Sequence, residues 1–170
     1  MKVFILAAVT ADGFIGRDSD HFVDWSGHED KKVFVRLTKA AGTMIMGSRT
    51  FATIGRALPG RRTIVYTQHP ERISVPDVET TTEDPKTLLA RLESEGLEAV
   101  AICGGAAIYD LFMQAGVVNE LYLTVVPVLF GQGIHLFHDR YDLELQLLES
   151  TPLIDGSVLL HYALNANLQV

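Results

Sequence analysis

The chain has 170 residues, of which 48% are hydrophobic and 21% are charged, and its net charge is −7 with histidine neutral. This composition predicts a folded protein with a sizeable core and excludes an intrinsically disordered chain. The acidic balance, without any lysine- or arginine-rich run, argues against nucleic acid or an anionic membrane as a general partner, so an anionic ligand would have to be bound by a local feature.

No repeat, low-complexity block or linker interrupts the sequence, so we predict a single domain over residues 1–170. The one cysteine, Cys103, cannot form an internal disulfide. The apolar run at residues 3–9 is too short for a membrane span or a secretory signal. These features predict a cytoplasmic protein, and they leave open whether it is a monomer or a homodimer.

Short apolar runs alternate with helical patterns along most of the chain. The runs, which are typical of buried strands, lie at residues 3–9, 43–46, 63–66, 99–102 and 121–126. The helical patterns cover residues 29–40, 85–95 and 106–115. This alternation predicts an α/β fold whose central sheet is mostly parallel and flanked by helices.

The last part of the chain has a different pattern. Residues 143–149 alternate between apolar and polar side chains, and residues 157–164 resemble a final strand after a turn at Asp155-Gly156. We expect these two segments to form an antiparallel hairpin that closes one edge of the sheet.

Two segments in the first third of the chain contain residues that a core does not require. Residues 11–25 form a polar, glycine-containing stretch that ends at Trp25, the only tryptophan, five residues before Asp30 in a first helical turn. This stretch is either a mobile active-site loop or a plain surface loop followed by an acid that the helix dipole stabilises. Residues 46–50 turn from a strand into a helix through Gly47, a corner at which an anion can be bound.

Two later segments also suggest binding sites. Arg56, Arg61 and Arg62 cluster around a tight turn, and they could bind a carboxylate or phosphate or simply be solvated. At residues 102–109 a strand turns through Gly104 and Gly105 into a helix, an arrangement that brings backbone amides close to a pyrophosphate. The full dinucleotide and P-loop glycine motifs are missing, and the six histidines form no metal-binding motif, so we predict no metal site.

Taken together, these segments resemble one known family. Residues 44–61, MIMGSRTFATIGRALPGR, are similar to the signature of dihydrofolate reductase. The loop at residues 12–16, Trp25 with Asp30, the glycine pair at 104–105 and residues 121–124 follow in that family's order. The resemblance covers about the first three quarters of the chain, and it implies a three-layer fold with a central sheet of about eight strands.

The resemblance implies NADPH-dependent reduction of 7,8-dihydrofolate, a pterin, to tetrahydrofolate. Asp30 matches the acid that binds the pterin's amino and amide edge and supports protonation of N5. Trp25 would hold an ordered water and close the loop over the site, and Arg61 would bind the substrate's glutamate carboxylate. The other residues implied for the substrate are Leu6, Ala8, Phe34, Ile54, Cys103 and Thr124.

The cofactor residues follow from the same resemblance. Ala8, Ile15 and Gly16 would border the nicotinamide. The pyrophosphate would lie along residues of the glycine turn and the helix after it, namely Gly104, Gly105, Ala106 and Ala107, and Tyr109 would be a further cofactor-binding residue. The adenosine ribose would lie near Arg49, Thr50, Thr67 and Gln68. Ser48 and Ala107 stand where many family members carry a basic residue, so the preference for NADPH over NADH stays open.

Two other functions remain as alternatives. Residues 127–137, PVLFGQGIHLF, resemble the reductase domain of bacterial riboflavin biosynthesis enzymes, which shares the fold and reduces a phosphorylated ribosylamino-pyrimidine. The third interpretation is a nucleotide-binding relative without catalytic activity. Such a protein would be expected to lack the pocket acid, and Asp30 is present.

Overall fold

The structure, a computed structural model, describes residues 1–18 and 24–169. In this part of the chain, ten strands and four α-helices follow one another as β1 (Lys2–Thr10), β2 (Phe14–Gly16), α1 (Gly27–Ala41), β3 (Thr43–Gly47), α2 (Ser48–Ile54), β4 (Arg62–Tyr66), β5 (Val78–Thr81), α3 (Pro85–Ser94), β6 (Ala99–Ile102), α4 (Ala106–Gln114), β7 (Glu120–Val126), β8 (Ile134–His135), β9 (Leu143–Pro152) and β10 (Val158–Gln169). A short 3-10 turn covers Pro70–Arg72.

Eight of these strands form one sheet in the order β5-β4-β3-β6-β1-β7-β10-β9. The first six run parallel to their neighbours, whereas β10 is antiparallel to β7 and β9 is antiparallel to β10. The strands β2 and β8 pair separately as a small antiparallel sheet. The predicted α/β fold, with a mostly parallel sheet and a C-terminal hairpin, is therefore confirmed.

The helices cover both faces of the sheet, which gives three layers. Successive side chains of a strand point to opposite faces, so β1 supplies both cores. Val3 and Ile5 pack in one hydrophobic cluster with residues of α3 and α4. Phe4 and Leu6 pack in the other cluster with residues of α1 and α2.

Three strands were not predicted from the sequence, and each has a physical reason. The strands β2 and β8 have three and two residues and pair only with each other, so neither carries a periodic pattern. The edge strand β5 has the sequence VETT, without an apolar run. The three predicted long helices agree with α1, α3 and α4 to within about two residues, which is the usual uncertainty of helix ends.

The carboxyl ends of β1, β3 and β6 lie side by side because these strands are neighbours in the sheet. From β3 the chain continues into α2 on one face, and from β6 into α4 on the other face. Ligands of open α/β sheets bind where such connections diverge. In the part of the chain that the structure describes, no helix combines the length and apolarity needed to span a bilayer.

Candidate active site

A cleft of about 700 Å³ opens at the carboxyl ends of β1, β3 and β6. That volume lies within the usual range for sites that bind small molecules and cofactors. The cleft walls come from the second half of β1, from α1, from the β3–α2 corner and from the β6–α4 corner. Three of the four sequence segments singled out above, at residues 11–25, 46–50 and 102–109, are thus brought together at this cleft, and the arginine segment does not line it.

Asp30 lies in the first turn of α1 and lines the cleft, although only 8% of its surface is exposed to solvent. The helix positions it because Val33, Leu37 and Ala41 of α1 are buried against the sheet. The hydroxyls of Ser26 and Thr124 are buried beside it, and neither makes a hydrogen bond of normal geometry within the described residues. Asp30 is therefore an acid in a largely dehydrated setting.

The environment of Asp30 favours its protonated form. Burial raises the pKa of the Asp30 carboxyl above its ordinary value, and the charge of Asp155 acts in the same direction. The hydroxyls of Ser26 and Thr124 and the ammonium of Lys31 oppose this shift in the pKa, but desolvation has the largest effect. A carboxyl group of this kind can hold a proton at a pH where an exposed aspartate would not.

The glycine pair after β6 fits its surroundings closely. The Gly104-Gly105 peptide bond is cis, and Gly104 has a φ of 107°. A side chain at Gly104 would place its Cβ 3.0 Å from the Tyr109 hydroxyl oxygen, which itself donates to the carbonyl of Leu6 at 2.9 Å. The Gly104 carbonyl accepts from the amide of Gly47 at 2.8 Å. This turn therefore connects the end of β6 to the end of β3, packs against Tyr109, which is hydrogen-bonded to β1, and lines the cleft.

The start of α4 adds backbone donors to the same wall. Its N-cap is Gly105, whose position carries no capping side chain, so the first N–H groups of the helix are not satisfied by a cap. Ala106 and Ala107 follow and line the cleft with their small side chains. Across from them, Arg49 and Thr50 of α2 line it too, and Thr50 Oγ1 lies 3.5 Å from the position that a Cβ on Gly105 would occupy.

Most of the residues predicted for the site line this cleft. They are Leu6, Ala8, Ile15, Gly16, Asp30, Phe34, Arg49, Thr50, Ile54, Cys103, Gly104, Gly105, Ala106, Ala107 and Tyr109. Cys103 is buried at the cleft wall, and burial raises the pKa of its thiol to about 12, so it is a protonated, packed side chain there.

Five predicted residues lie outside the immediate cleft wall, namely Trp25, Arg61, Thr67, Gln68 and Thr124. Thr124 is fully buried on β7 beside Ala8, and its hydroxyl acts to lower the pKa of the Asp30 carboxyl. Arg61 lies along α1, where its Nη1 donates to Thr38 Oγ1 at 2.5 Å, and its guanidinium carbon is 5.9 Å from the centre of the Phe34 ring.

Trp25 stands at the end of the loop that precedes α1. Its ring meets Phe130 edge-on at 5.1 Å between centroids, and its indole N–H is buried without a hydrogen-bond partner among the described residues. Part of the predicted active-site loop, residues 19–23, lies outside the described residues. The described start of the loop is fixed by Asp12, whose carboxylate accepts from the amides of Phe130 and Gly131.

The suggestion that three clustered arginines form one anion dock is wrong for Arg62. Its guanidinium is paired with Glu79 and Glu95 in an ion-pair network that also includes Arg91. These contacts hold β4, β5 and α3 together and neutralise the charge of Arg62. Arg61 alone of the adjacent pair points toward α1 and the Phe34 side of the cleft.

Several cleft residues were missed by the sequence analysis. They include Lys31, Thr53, Tyr66, Ile108, Ile134 and His138. Lys31 lies three residues before Phe34 on α1, and Thr53 lies three residues after Thr50 on α2, so helical spacing could have found them. Ile134 and His138 reach the cleft only through the tertiary packing of the segment after β7, for which the sequence carries no periodic signal. In the part of the chain that the structure describes, no three His, Cys, Asp or Glu side chains are grouped to hold a metal ion.

Comparison with known proteins gives a consistent result. Residues 2–144 match the family model described as dihydrofolate reductase. An uncharacterized protein of Bacillus subtilis, YwjB, is 28% identical over 169 residues and covers 95% of this chain and 97% of its own. The dihydrofolate reductase type 3 of Salmonella typhimurium is 31% identical over 150 residues, which is 88% of this chain and 86% of its own.

Solved structures share the fold. A putative riboflavin biosynthesis protein from Shewanella sp. PV-4 superposes with a TM-score of 0.80 at 21% identity, over 97% of this chain and 99% of its own. Dihydrofolate reductase from Enterococcus faecalis, complexed with NADP(H) and RAB-propyl, superposes with a TM-score of 0.75 at 24% identity, over 96% of both chains.

Proposed function

This chain belongs to the dihydrofolate reductase family, and from that premise we propose that it reduces 7,8-dihydrofolate to 5,6,7,8-tetrahydrofolate with NADPH. The observation that carries the proposal is Asp30, a buried acid with a raised pKa on the wall of a cleft of about 700 Å³. We also infer that the protein acts in the cytoplasm.

The residues of the cleft are suited to a nicotinamide dinucleotide. NADPH, when bound, supplies the hydride. Gly104 and Gly105 would allow close approach of the pyrophosphate, because they carry no side chains at the cleft wall and the α4 start offers free amides. Arg49 and Thr50, with Thr67 and Gln68 further out, would bind the adenosine ribose and its phosphate. Ala8, Ile15 and Gly16 would border the nicotinamide, where their small or apolar surfaces exclude water.

The substrate would occupy the opposite side of the cleft, toward α1. Asp30 would bind the amino and amide edge of the pterin, and Leu6 and Phe34 would cover its faces. Arg61 would bind the substrate's glutamate carboxylate. Its guanidinium lies beside Phe34, with Nη1 anchored on Thr38 and Nε buried without a partner among the described residues. Ile54 and Cys103 complete the apolar wall.

The reaction adds a hydride to C6 and a proton to N5 of the pterin. Asp30 would support the protonation, since its raised pKa keeps the acid protonated at a higher pH than an exposed aspartate. Thr124 and Ser26 would hold its carboxyl group in place, and Trp25 would close the loop and hold an ordered water. Holding the two rings in contact lowers the entropic part of the barrier.

The proposal is tested by steady-state turnover of dihydrofolate with NADPH and with NADH side by side. We expect reduction of dihydrofolate to be measurable with NADPH and to be inhibited by a diaminopyrimidine antifolate that competes for Asp30. NADPH binding without reduction of any pterin would contradict the proposal and support a nucleotide-binding protein without catalytic activity.

A second candidate is reduction of a phosphorylated ribosylamino-pyrimidine, as in riboflavin biosynthesis. It is favoured by the fold likeness to the Shewanella protein and by residues 127–137. That substrate carries a phosphate where dihydrofolate carries a glutamate. Turnover of the pyrimidine without turnover of dihydrofolate, together with weak antifolate binding, would establish this candidate instead.

A further inference from the structure

The segment after β8 brings a histidine to the cleft. His138 lines the cleft, and 56% of its side chain is exposed. It comes four residues after Ile134, which also lines the cleft and pairs with Gly16 of β2. The side chain of His138 is therefore accessible to a molecule bound in the cleft.

A buried acid holds this histidine in place. Asp110 of α4 is 6% exposed, and its Oδ2 accepts from the backbone amide of His138 at 2.9 Å and lies 3.6 Å from the ring Nδ1. Its other oxygen, Oδ1, accepts from the Tyr141 hydroxyl at 3.0 Å. With Nδ1 beside the acid, the other ring nitrogen, Nε2, is the one free to bind a ligand.

Further contacts fix the same segment on α4. The ring of Phe137 meets Tyr109 and Tyr141 edge-on, with centroids 6.4 and 5.1 Å away. Gln114, at the end of α4, is hydrogen-bonded to Asp139. The segment that carries His138 is thus held against α4 by several contacts. This limits the conformational entropy that the segment would lose when a ligand binds.

The charge distribution of the cleft indicates what His138 would bind. The basic side chains Lys31 and Arg49 line it from α1 and α2, on the same face of the sheet. The acidic lining residues, Asp18, Asp24 and Asp30, belong to α1 and to the segment between β2 and α1. On the α4 side, His138 is the basic side chain among the described lining residues, and Ala107 at the start of α4 offers no charge. An anionic group bound near the start of α4 would therefore interact with the side chain of His138.

The sheet order indicates which half of a dinucleotide this would be. Arg49 and Thr50 follow β3, which lies on one side of β6. His138 follows β8, which pairs with β2, and β2 contacts β1, the neighbour of β6 on its other side. A dinucleotide with its adenosine near Arg49 would therefore have its nicotinamide nucleotide near His138.

We propose that His138, positioned by Asp110, is a further cofactor-binding residue that donates a hydrogen bond from Nε2 to the phosphate of the nicotinamide half of NADPH. In this complex both ring nitrogens carry a proton, Nδ1 toward the Asp110 carboxylate and Nε2 toward the phosphate. The proposal rests on the proposed function for the identity of the cofactor. It adds a side-chain donor to a phosphate that the α4 amides bind through the backbone.

The test is equilibrium binding of two ligands, NADPH and adenosine 2′,5′-bisphosphate, measured by calorimetry. The bisphosphate contains the adenosine half and lacks the nicotinamide nucleotide. We expect His138→Ala to raise the Kd for NADPH about tenfold, the loss expected for one hydrogen bond to a charged group, and to leave the Kd for the bisphosphate unchanged. His138→Gln, which keeps a neutral donor, should give an intermediate Kd for NADPH.

His135→Ala is the matched control, because His135 is an exposed histidine of the same segment that packs on Phe14 and does not line the cleft. It should bind NADPH as the unaltered protein does. An NADPH Kd for His138→Ala within twofold of the unaltered protein would overturn the proposal, and so would an equal loss for both ligands. If the unaltered protein binds NADPH but does not reduce dihydrofolate, the proposed substrate is wrong. The comparison of NADPH affinities between the variants would still test the role of His138.

Discussion

Asp30, the acid to which we assign the protonation role, also has a cost in stability. Its carboxyl group is buried beside the hydroxyls of Ser26 and Thr124, and neither hydroxyl makes a hydrogen bond of normal geometry within the described residues. Among the described residues, no cation forms an ion pair with Asp30, whereas the adjacent Glu29 is paired with Lys32. Burying an acid in this way raises its pKa and makes its ionised form unfavourable in the folded state. Functional sites often retain groups that a purely structural optimum would remove.

This cost predicts the effect of Asp30→Asn on stability. The folded-state pKa of Asp30 is raised above its ordinary value of 3.8, so the folded protein binds this proton more tightly than the unfolded chain does. The resulting stabilisation is present below that ordinary value and is lost as the pH rises through the raised pKa. We therefore expect Asp30→Asn to raise the free energy of unfolding relative to the unaltered protein at neutral pH, with a smaller gain toward pH 4.

Urea unfolding at a series of pH values measures this difference. Glu29→Gln is the matched control, because Glu29 is the adjacent acid and its carboxylate is paired with Lys32 at the surface. A gain for Asp30→Asn that stays constant from pH 4 to neutrality would contradict a raised pKa.

Local sequence patterns were sufficient for the longer elements and insufficient for the short ones. The strands at residues 3–9 and 99–102 and the helix beginning at Ala106 were predictable because apolar periodicity and the glycine pair mark them. The strands β2 and β8 were not, because they exist only as partners of each other. The missed cleft residues Ile134 and His138 lie within or just after β8, so they were missed for the same reason.

The start of α3 shows how one side chain defines an element. Asp84 is its N-cap, and its Oδ1 accepts from the amide of Lys86 at 2.9 Å, with Pro85 at the first helical position. This matches the sequence expectation of a helix that begins at that proline. The helix packs through Leu88 and Leu92, both fully buried, so its first turn matters for the core.

We expect Asp84→Ala to lower the free energy of unfolding by about 1 kcal/mol, the usual cost of losing a side-chain N-cap. Urea denaturation checks the value. Lys86→Ala, which shortens an exposed side chain in the same turn, should change the free energy of unfolding by less than about 0.5 kcal/mol. Equal losses in the two variants would show that the Asp84 cap contributes nothing specific.

At the scale of the whole molecule, the fold creates the cleft by bringing distant segments together. Residues from the first strand, the first helix and the β3–α2 and β6–α4 corners meet at one end of the sheet. Their order in the sequence carried the family resemblance, and their distances and burial required the structure. The single domain over residues 1–170 stays a prediction, although β1 supplies residues to both cores.

The whole molecule is acidic, yet the proposed cofactor and substrate are anions. With a net charge of −7, binding depends on local groups rather than on the overall field. Arg49, Arg61, the start of α4 and the proposed donor His138 are such groups, each placed by a different element. The same cleft has one buried acid among its described lining residues, Asp30, which we propose binds the pterin.

The central claim is that Asp30 supports proton transfer to the pterin, and turnover of dihydrofolate with NADPH by Asp30→Asn tests it most directly. The substitution keeps the shape of the side chain and removes the acid, so we predict that kcat falls by about 100-fold or more. Glu29→Gln should retain the kcat of the unaltered protein. Unchanged kcat in Asp30→Asn would contradict the account.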